Sequence, residues 1–379
     1  MTLSLDPDQK LRILFMYWGR RGALPQFTLQ LGHAALAHPH LEASISVSRQ
    51  NEMFANYAPF GDALLPVDTF ATNLGGFTQA WRLPGLRHQL AAHLRRHRIE
   101  AVVDLMPHFW SPLVAPAIRR AGVRYVPIAH DADAHPGDQT TWVKSWIDRS
   151  LQQADLVLTL SEAVADRLVA TNQVSKTKLA SLFLPDLVYR NDGTGTSLPW
   201  LPAAGQPFRL LFLGRIMPYK GLGLFLDCVD ILRGEGFNFS VGVCGEGALG
   251  ADAARLAGMG AEVINRWLSE AEIGAILARH HAVVLSHTEA SQSGVAAAAF
   301  GAGLPVIATP VGGLIQQVED GRTGILASRV DAPSLAAACA RLIRDPALYA
   351  AICAHIAASR QRRTMGAFVE QCAVLACGR

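Results

Sequence analysis

The stretch from Ala282 to Leu326 constrains the fold of this chain more than any other. It opens with a short apolar run, Val283, Val284 and Leu285, and continues through a polar loop from Ser286 to Gly294. A helical pattern of Val and Ala then runs from Val295 to Ala302. After Gly303 and Pro305 come a second apolar run at Val306 to Ala308 and a Gly312-Gly313 turn. Strand, loop, helix, strand is the unit of a parallel sheet, and such sheets bind ligands at the carboxyl ends of their strands. The amides of Ser293, Gly294 and Val295 open the helix and have no partners within it. Together with the helix dipole they make a place for an anion. No charged residue or histidine lies between Glu289 and Glu319, but the glycines and prolines there break any membrane span, so the segment reads as buried core.

At 379 residues the chain is too long for one ordinary core, which points to two domains. Half the residues are apolar and 17% are charged, a globular balance. The net charge of +3 selects no nucleic-acid partner. Met1 to Lys10 lacks an apolar signal region, so the expected location is cytoplasmic. The cysteines, Cys228, Cys244, Cys339, Cys353, Cys372 and Cys377, form no CxxC pair and read as reduced core thiols.

Strands and helices alternate along the chain. Expected strands in the first half are Ile13 to Met16, Ala43 to Val47, Ala101 to Leu105, Tyr125 to Ile128, Leu156 to Leu160 and Leu179 to Phe183. Residues 191–207 are expected to link a first domain, 1–190, to a second, 208–358. The pattern restarts with strands at Arg209 to Leu213, Ser240 to Val243 and Ala261 to Ile264. Ser269 and Glu272 form a capping-box pattern. The segment 359–379 reads as a closing helix that can return to the first domain. The expected class is α/β, two doubly wound parallel-sheet domains.

Gly214 and Arg215 end the first strand of the second half, and Lys220 and Gly221 follow at a helix start. Both cations then sit at a ligand-binding sheet edge, Arg as a planar fork and Lys as a point charge for phosphate oxygens. In the first half Asp104 to Trp110 follows a strand end and carries His108. The next strand is followed by His130, Asp131, Asp133, His135 and Asp138. Asp131 and Asp133 with two histidines invite a metal reading, and His108, His130 and Asp131 invite one of acceptor binding or proton handling. Arg82 to Arg98 concentrates Arg and His beside a leucine stripe. It reads as a solvated helix with one face on its sheet, or as a peripheral contact with an anionic membrane.

Phe212 to Arg215, Lys220 and Gly221, Glu289 and its loop, Gly303 to Ala308, Val311 to Gly313 and Asp320 to Gly324 together resemble the donor half of retaining GT-B glycosyltransferases of family 4. The likeness is continuous from Phe208 to about Leu326. In the first half it is one of layout, with Arg20, Arg21 and Gly22 where the family has a glycine-rich loop. The resemblance implies two Rossmann-like domains facing a cleft and a nucleotide-diphosphate sugar held by Arg215, Lys220 and the loop Glu289, Ser291, Gln292, Ser293, Gly294 and Val295. It places the base near Asn265, Arg266 and Trp267. The acceptor, a glycan or a lipid-linked saccharide, would lie on the first domain, with Arg20, Arg21, Gly22, Asp133 and His135 as candidates. No metal and no cofactor is expected. The family's second glutamate, seven positions before the Pro, falls at Ala298. Glu289 can still approach the sugar, while ribose recognition has to come from elsewhere. Two rivals remain, a non-catalytic nucleotide-sugar-binding subunit and a GT-B sugar-nucleotide epimerase.

Overall fold

A computed structural model of the chain describes residues 10–72, 74–133, 141–189 and 205–379. It divides into two compact units. The first comprises the chain up to Phe183 together with Met365–Arg379, and the second is Leu184–Thr364. Most of the expected linker therefore lies outside the described residues. The segments 184–189 and 359–364 belong to the second unit rather than to the first domain and the tail.

The first unit contains β1 (Leu11–Tyr17), β2 (Leu41–Ser48), β3 (Leu64–Val67), β4 (Ala101–Asp104), β5 (Arg124–Ala129), β6 (Val157–Thr159) and β7 (Leu179–Ser181). They form one parallel sheet in the order β3-β2-β1-β4-β5-β6-β7. The strands are near-continuous apolar runs because helices cover the sheet. β3 is absent from the sequence expectation, since Pro66 argues against a strand. It survives because β3 is an edge, where a missing N–H is tolerated.

The second unit contains β8 (Phe208–Leu213), β9 (Phe239–Cys244), β10 (Glu262–Ile264), β11 (Ala282–Leu285), β12 (Val306–Ala308) and β13 (Gly324–Leu326). Their order is β10-β9-β8-β11-β12-β13, again all parallel. The edge strand β13 begins at Gly324, where a side chain would come within 1.9 Å of the Val306 carbonyl oxygen. The helix Glu270–Ala278 carries the expected capping box between Ser269 and Glu272.

The closing helix, Met365–Cys377, packs on the first unit. Phe368 is fully buried, with ring centroids 5.7 Å from Phe27 and 6.0 Å from Phe183. Burying that ring contributes about 2–3 kcal/mol. Arg124 Nε donates to the Ala376 carbonyl at 2.7 Å and fixes the end of the helix.

Candidate functional site

In each sheet the chain order reverses once, between β1 and β4 and between β8 and β11. Loops leaving the carboxyl ends of strands at such a reversal splay apart and open a crevice. Arg20 to Gly22 and His108 follow β1 and β4, and Arg215, Lys220 and Glu289 to Val295 follow β8 and β11.

In the second unit β8 leads into Gly214, whose φ is +107°. A side chain there would come within 3.2 Å of Val295 Cγ2 and 3.7 Å of the Lys220 ammonium. The glycine thus lets three elements approach one another: the β8 exit, the Lys220 turn and the start of the helix Gly294–Gly301. The turn Pro218–Lys220 is tied to the β11 exit. Thr288 N donates to the Tyr219 carbonyl at 2.8 Å, and Ser286 Oγ to the Lys220 carbonyl at 3.0 Å. Gly221 makes this possible, since a side chain on it would meet the Ser286 carbonyl oxygen at 2.0 Å. Arg215 and Glu289 are exposed on the same exit loops, and Ser291, Gln292, Gly294 and Val295 are half-buried. Trp267, exposed at 47%, follows β10.

The expectation for Ser293 needs correction. Its amide donates to Gln317 Oε1 at 2.9 Å, while Gln317 Nε2 donates back to the Ser293 carbonyl at 2.9 Å. Its hydroxyl caps the helix by accepting from Ala296 N at 3.3 Å. Ser293 therefore anchors the helix start and offers no amide to a ligand. Among the described residues the Gly294 and Val295 amides find no acceptor, as first-turn amides normally do not. Two amides, those of Gly294 and Val295, therefore remain beside the Lys220 ammonium as a candidate anion site.

In the first unit the β1 exit carries Trp18 to Gly22 and the β4 exit carries Asp104 to Trp110. Asp104 is buried, and one carboxylate oxygen accepts from Ser111 Oγ at 2.7 Å and from Tyr125 Oη at 2.8 Å. Burial pushes its carboxyl up to about 6, although both hydroxyls oppose the shift. Ser111 Oγ also accepts from His108 N at 2.8 Å, so Asp104 fixes the loop that presents His108. The His108 ring packs among Trp18, Phe70 and Trp110. That burial, with the Arg20 guanidinium nearby, pushes its pKa down to about 3. His108 Nδ1 accepts from Trp110 N at 3.2 Å, which leaves the proton of the neutral ring on Nε2.

His130 Nε2 lies 2.7 Å from the Leu105 carbonyl, which can only accept, so Nε2 carries the proton there too. Burial lowers the His130 pKa. Asp131 is half-buried beside it. Asp133 is engaged elsewhere, in an exposed ion pair with Arg167 at 2.6 Å. Arg21 is exposed and 4.0 Å from Glu52, and Gly22 has φ +109°. His135 and Asp138 lie outside the described residues.

The Arg82 to Arg98 stretch is the helix Leu83–Arg96, with Leu83, Leu86, Leu90 and Leu94 buried on the sheet. Two of its cations are tied to backbone carbonyls. Arg82 donates to the Thr69 carbonyl at 3.0 Å, and Arg87 Nε to the Leu113 carbonyl at 3.0 Å.

Over residues 207–345 the chain matches the family described as glycosyl transferases group 1, and over 54–181 the one described as glycosyltransferase family 4. The chain belongs to the group 1, family 4 glycosyl transferases. Its curated relatives include the glycogen synthase of Mycobacterium tuberculosis, 29% identical over 316 residues, covering 78% of this chain and 74% of that one. A 2-deoxystreptamine glucosyltransferase of Streptomyces kanamyceticus is 28% identical over 302 residues, covering 73% and 76%. Among solved structures, Anabaena HepE in complex with UDP superposes with a TM-score of 0.70 at 16% identity, over 96% of this chain and 99% of that chain. The fold of this glycosyltransferase is GT-B.

Two features were hidden from sequence reasoning. The Ser293–Gln317 clamp joins residues 24 positions apart and has no local signature. Asp104 was visible as the start of a cluster, but its supporting role depends on Tyr125, one strand away.

Proposed function

We propose that this glycosyltransferase moves a sugar from a nucleotide-diphosphate donor to a saccharide or lipid-linked acceptor with retention at the anomeric carbon. The observation that carries the proposal is the meeting of the Lys220 ammonium, Gly214 and the start of the helix Gly294–Gly301 at the sheet reversal. As the bond to the sugar breaks, charge accumulates on the diphosphate. Lys220, Arg215 and the Gly294 and Val295 amides stabilise it, and the reaction then needs no divalent cation. The complex of HepE with UDP and the names of the glycogen synthase and glucosyltransferase relatives support a nucleotide-sugar donor. Glu289 is assigned to the sugar, and Trp267 to the base.

On the acceptor side, His108 stays neutral at physiological pH, and its Nδ1 already accepts the Trp110 amide. That suits it to donate from Nε2 and orient a hydroxyl rather than to remove a proton. His130 and Asp131, at the exit of the neighbouring strand β5, are assigned to proton handling. With nucleotide hexoses and saccharide acceptors, NMR should show an α-linked product from an α-linked donor. A β-linked product would contradict retention. Donor conversion without any acceptor would favour an epimerase, and nucleotide binding without turnover a non-catalytic subunit.

A lipid-linked acceptor is favoured by a second observation. Leu74, Phe77, Trp81 and Trp142 are 76%, 58%, 74% and 56% exposed on segments following β3 and β5. Phe77 and Trp142 stack at 6.0 Å, and the Arg82 guanidinium lies 5.3 Å from the Trp81 ring centroid. Exposed aromatics with a flanking cation suit the interfacial zone of a bilayer. This moves the proposed membrane contact from the body of the basic helix to its N-terminal side. The protein should co-sediment with phosphatidylglycerol vesicles, and the Phe77→Ala/Trp81→Ala double variant should lose about tenfold or more in affinity. Equal sedimentation of the two proteins would remove the membrane contact. Among the described residues no helix is long and apolar enough to cross a membrane.

A further inference from the structure

We propose that Glu246 binds the ribose hydroxyls of the nucleotide donor, in place of the carboxylate that the family carries where this chain has Ala298. The inference rests on the donor reading above and deepens it.

Ala298 is 2% exposed within the helix Gly294–Gly301 and has no group that could reach a diol. The sheet order β10-β9-β8-β11 sets the exits of four strands in a row, about 4.8 Å apart. Asn265 to Trp267 follow β10, Gly245 to Gly247 follow β9, Gly214 to Lys220 follow β8, and Ser286 to Gly294 follow β11. In a nucleoside diphosphate the ribose is covalently placed between base and phosphates. With the base at Trp267 and the diphosphate at Lys220, the ribose falls over the β9 exit, where Glu246 stands.

That exit is held on both sides. Toward β10, Gly245 N donates to the Ile264 carbonyl at 2.8 Å, and Gly247 N to Asn265 Oδ1 at 3.2 Å. Toward β8, Gly214 N donates to the Cys244 carbonyl at 2.9 Å, and Ile216 N to the Glu246 carbonyl at 2.8 Å. Side chains at Gly245 and Gly247 would come within 2.0 Å of the Gly214 carbonyl oxygen and 2.4 Å of the Ile216 carbonyl oxygen. The two glycines therefore press Glu246 against the Arg215 loop. Neighbouring carboxylates are already engaged: Glu272 with Arg266 and Ser269, and Glu262 with Arg279. Glu246 is exposed, and among the described residues no hydrogen bond or ion pair occupies its carboxylate. An ionised carboxylate accepts from both hydroxyls of a vicinal diol at once, which an amide does less well.

The test is a calorimetric titration of uridine, adenosine and guanosine diphosphates, each with its 2′-deoxy counterpart, into the wild type, Glu246→Gln and Glu246→Ala. The wild type should prefer the ribonucleotide by roughly 10- to 100-fold, the range of a hydrogen bond to a charged group. Both variants should lose most of that preference, through weaker ribonucleotide binding and nearly unchanged deoxynucleotide binding. A variant that keeps the wild-type ratio overturns the role of Glu246 while leaving the donor reading intact. Wild-type protein that binds none of the six nucleotides overturns the donor reading and this inference together.

Discussion

Replacing Lys220 by alanine should lower kcat/KM by about 10²- to 10³-fold, the cost of removing one preorganised donor from a developing anion. The side chain lies beside the N-terminus of the helix Gly294–Gly301, so its charge and the helix dipole act on the same group. Its backbone carbonyl, which accepts from Ser286 Oγ, is retained in the variant, and the turn should keep its shape. Melting temperature is therefore expected to stay near that of the wild type. Lys220→Arg should recover only part of the loss, because a planar fork replaces a compact charge next to Val295. A Lys220→Ala enzyme within about twofold of wild type would remove this residue from the mechanism.

Replacing Asp186 by alanine should destabilise the second unit by about 3–5 kcal/mol, the cost of leaving a buried cation without its counterion. Asp186 Oδ1 accepts from Arg363 Nε at 3.0 Å, and the two side chains are 4% and 19% exposed. Burial raises the Asp186 carboxyl above its usual range although Arg363 opposes the shift, so desolvation outweighs attraction here. The pair's importance lies in where it is. Asp186 N also donates to the Arg363 carbonyl at 2.8 Å, and Leu187 N to the Ala297 carbonyl at 3.0 Å. Gly301 lets that strap lie flat, since a side chain there would meet the Leu187 carbonyl oxygen at 2.0 Å. Both chain segments that leave the second unit are thus fastened to the helix Gly294–Gly301, which begins at the candidate anion site. Urea unfolding should show an earlier transition for the second unit, and Asp186→Asn should fall between the two. A shift worth less than about 1 kcal/mol would show that the clamp carries little.

The candidate site of the second unit was legible because its signals are local. The apolar run Leu210 to Leu213, followed by Gly214 and Arg215, and another that ends in a polar loop, name their own strands and exits. β3 and β13 were missed because Pro66 and Gly324 oppose strand formation anywhere but at a sheet edge, and edge position is a property of the assembled sheet. The engagement of Ser293 by Gln317, of Asp133 by Arg167 and of Asp186 by Arg363 joins residues far apart in the chain. No periodicity reports such pairs. The protonation state of His108 belongs to the same class, since it follows from rings contributed by the exits of three different strands.

The proposed transfer requires the second unit to hold a pyrophosphate between Lys220 and the amides of Gly294 and Val295. Titrating UDP into the wild type and into Lys220→Ala, with heat read directly, tests this. Saturable one-to-one binding that weakens about tenfold or more in the variant is the predicted result. Equal affinity in the two proteins would contradict it.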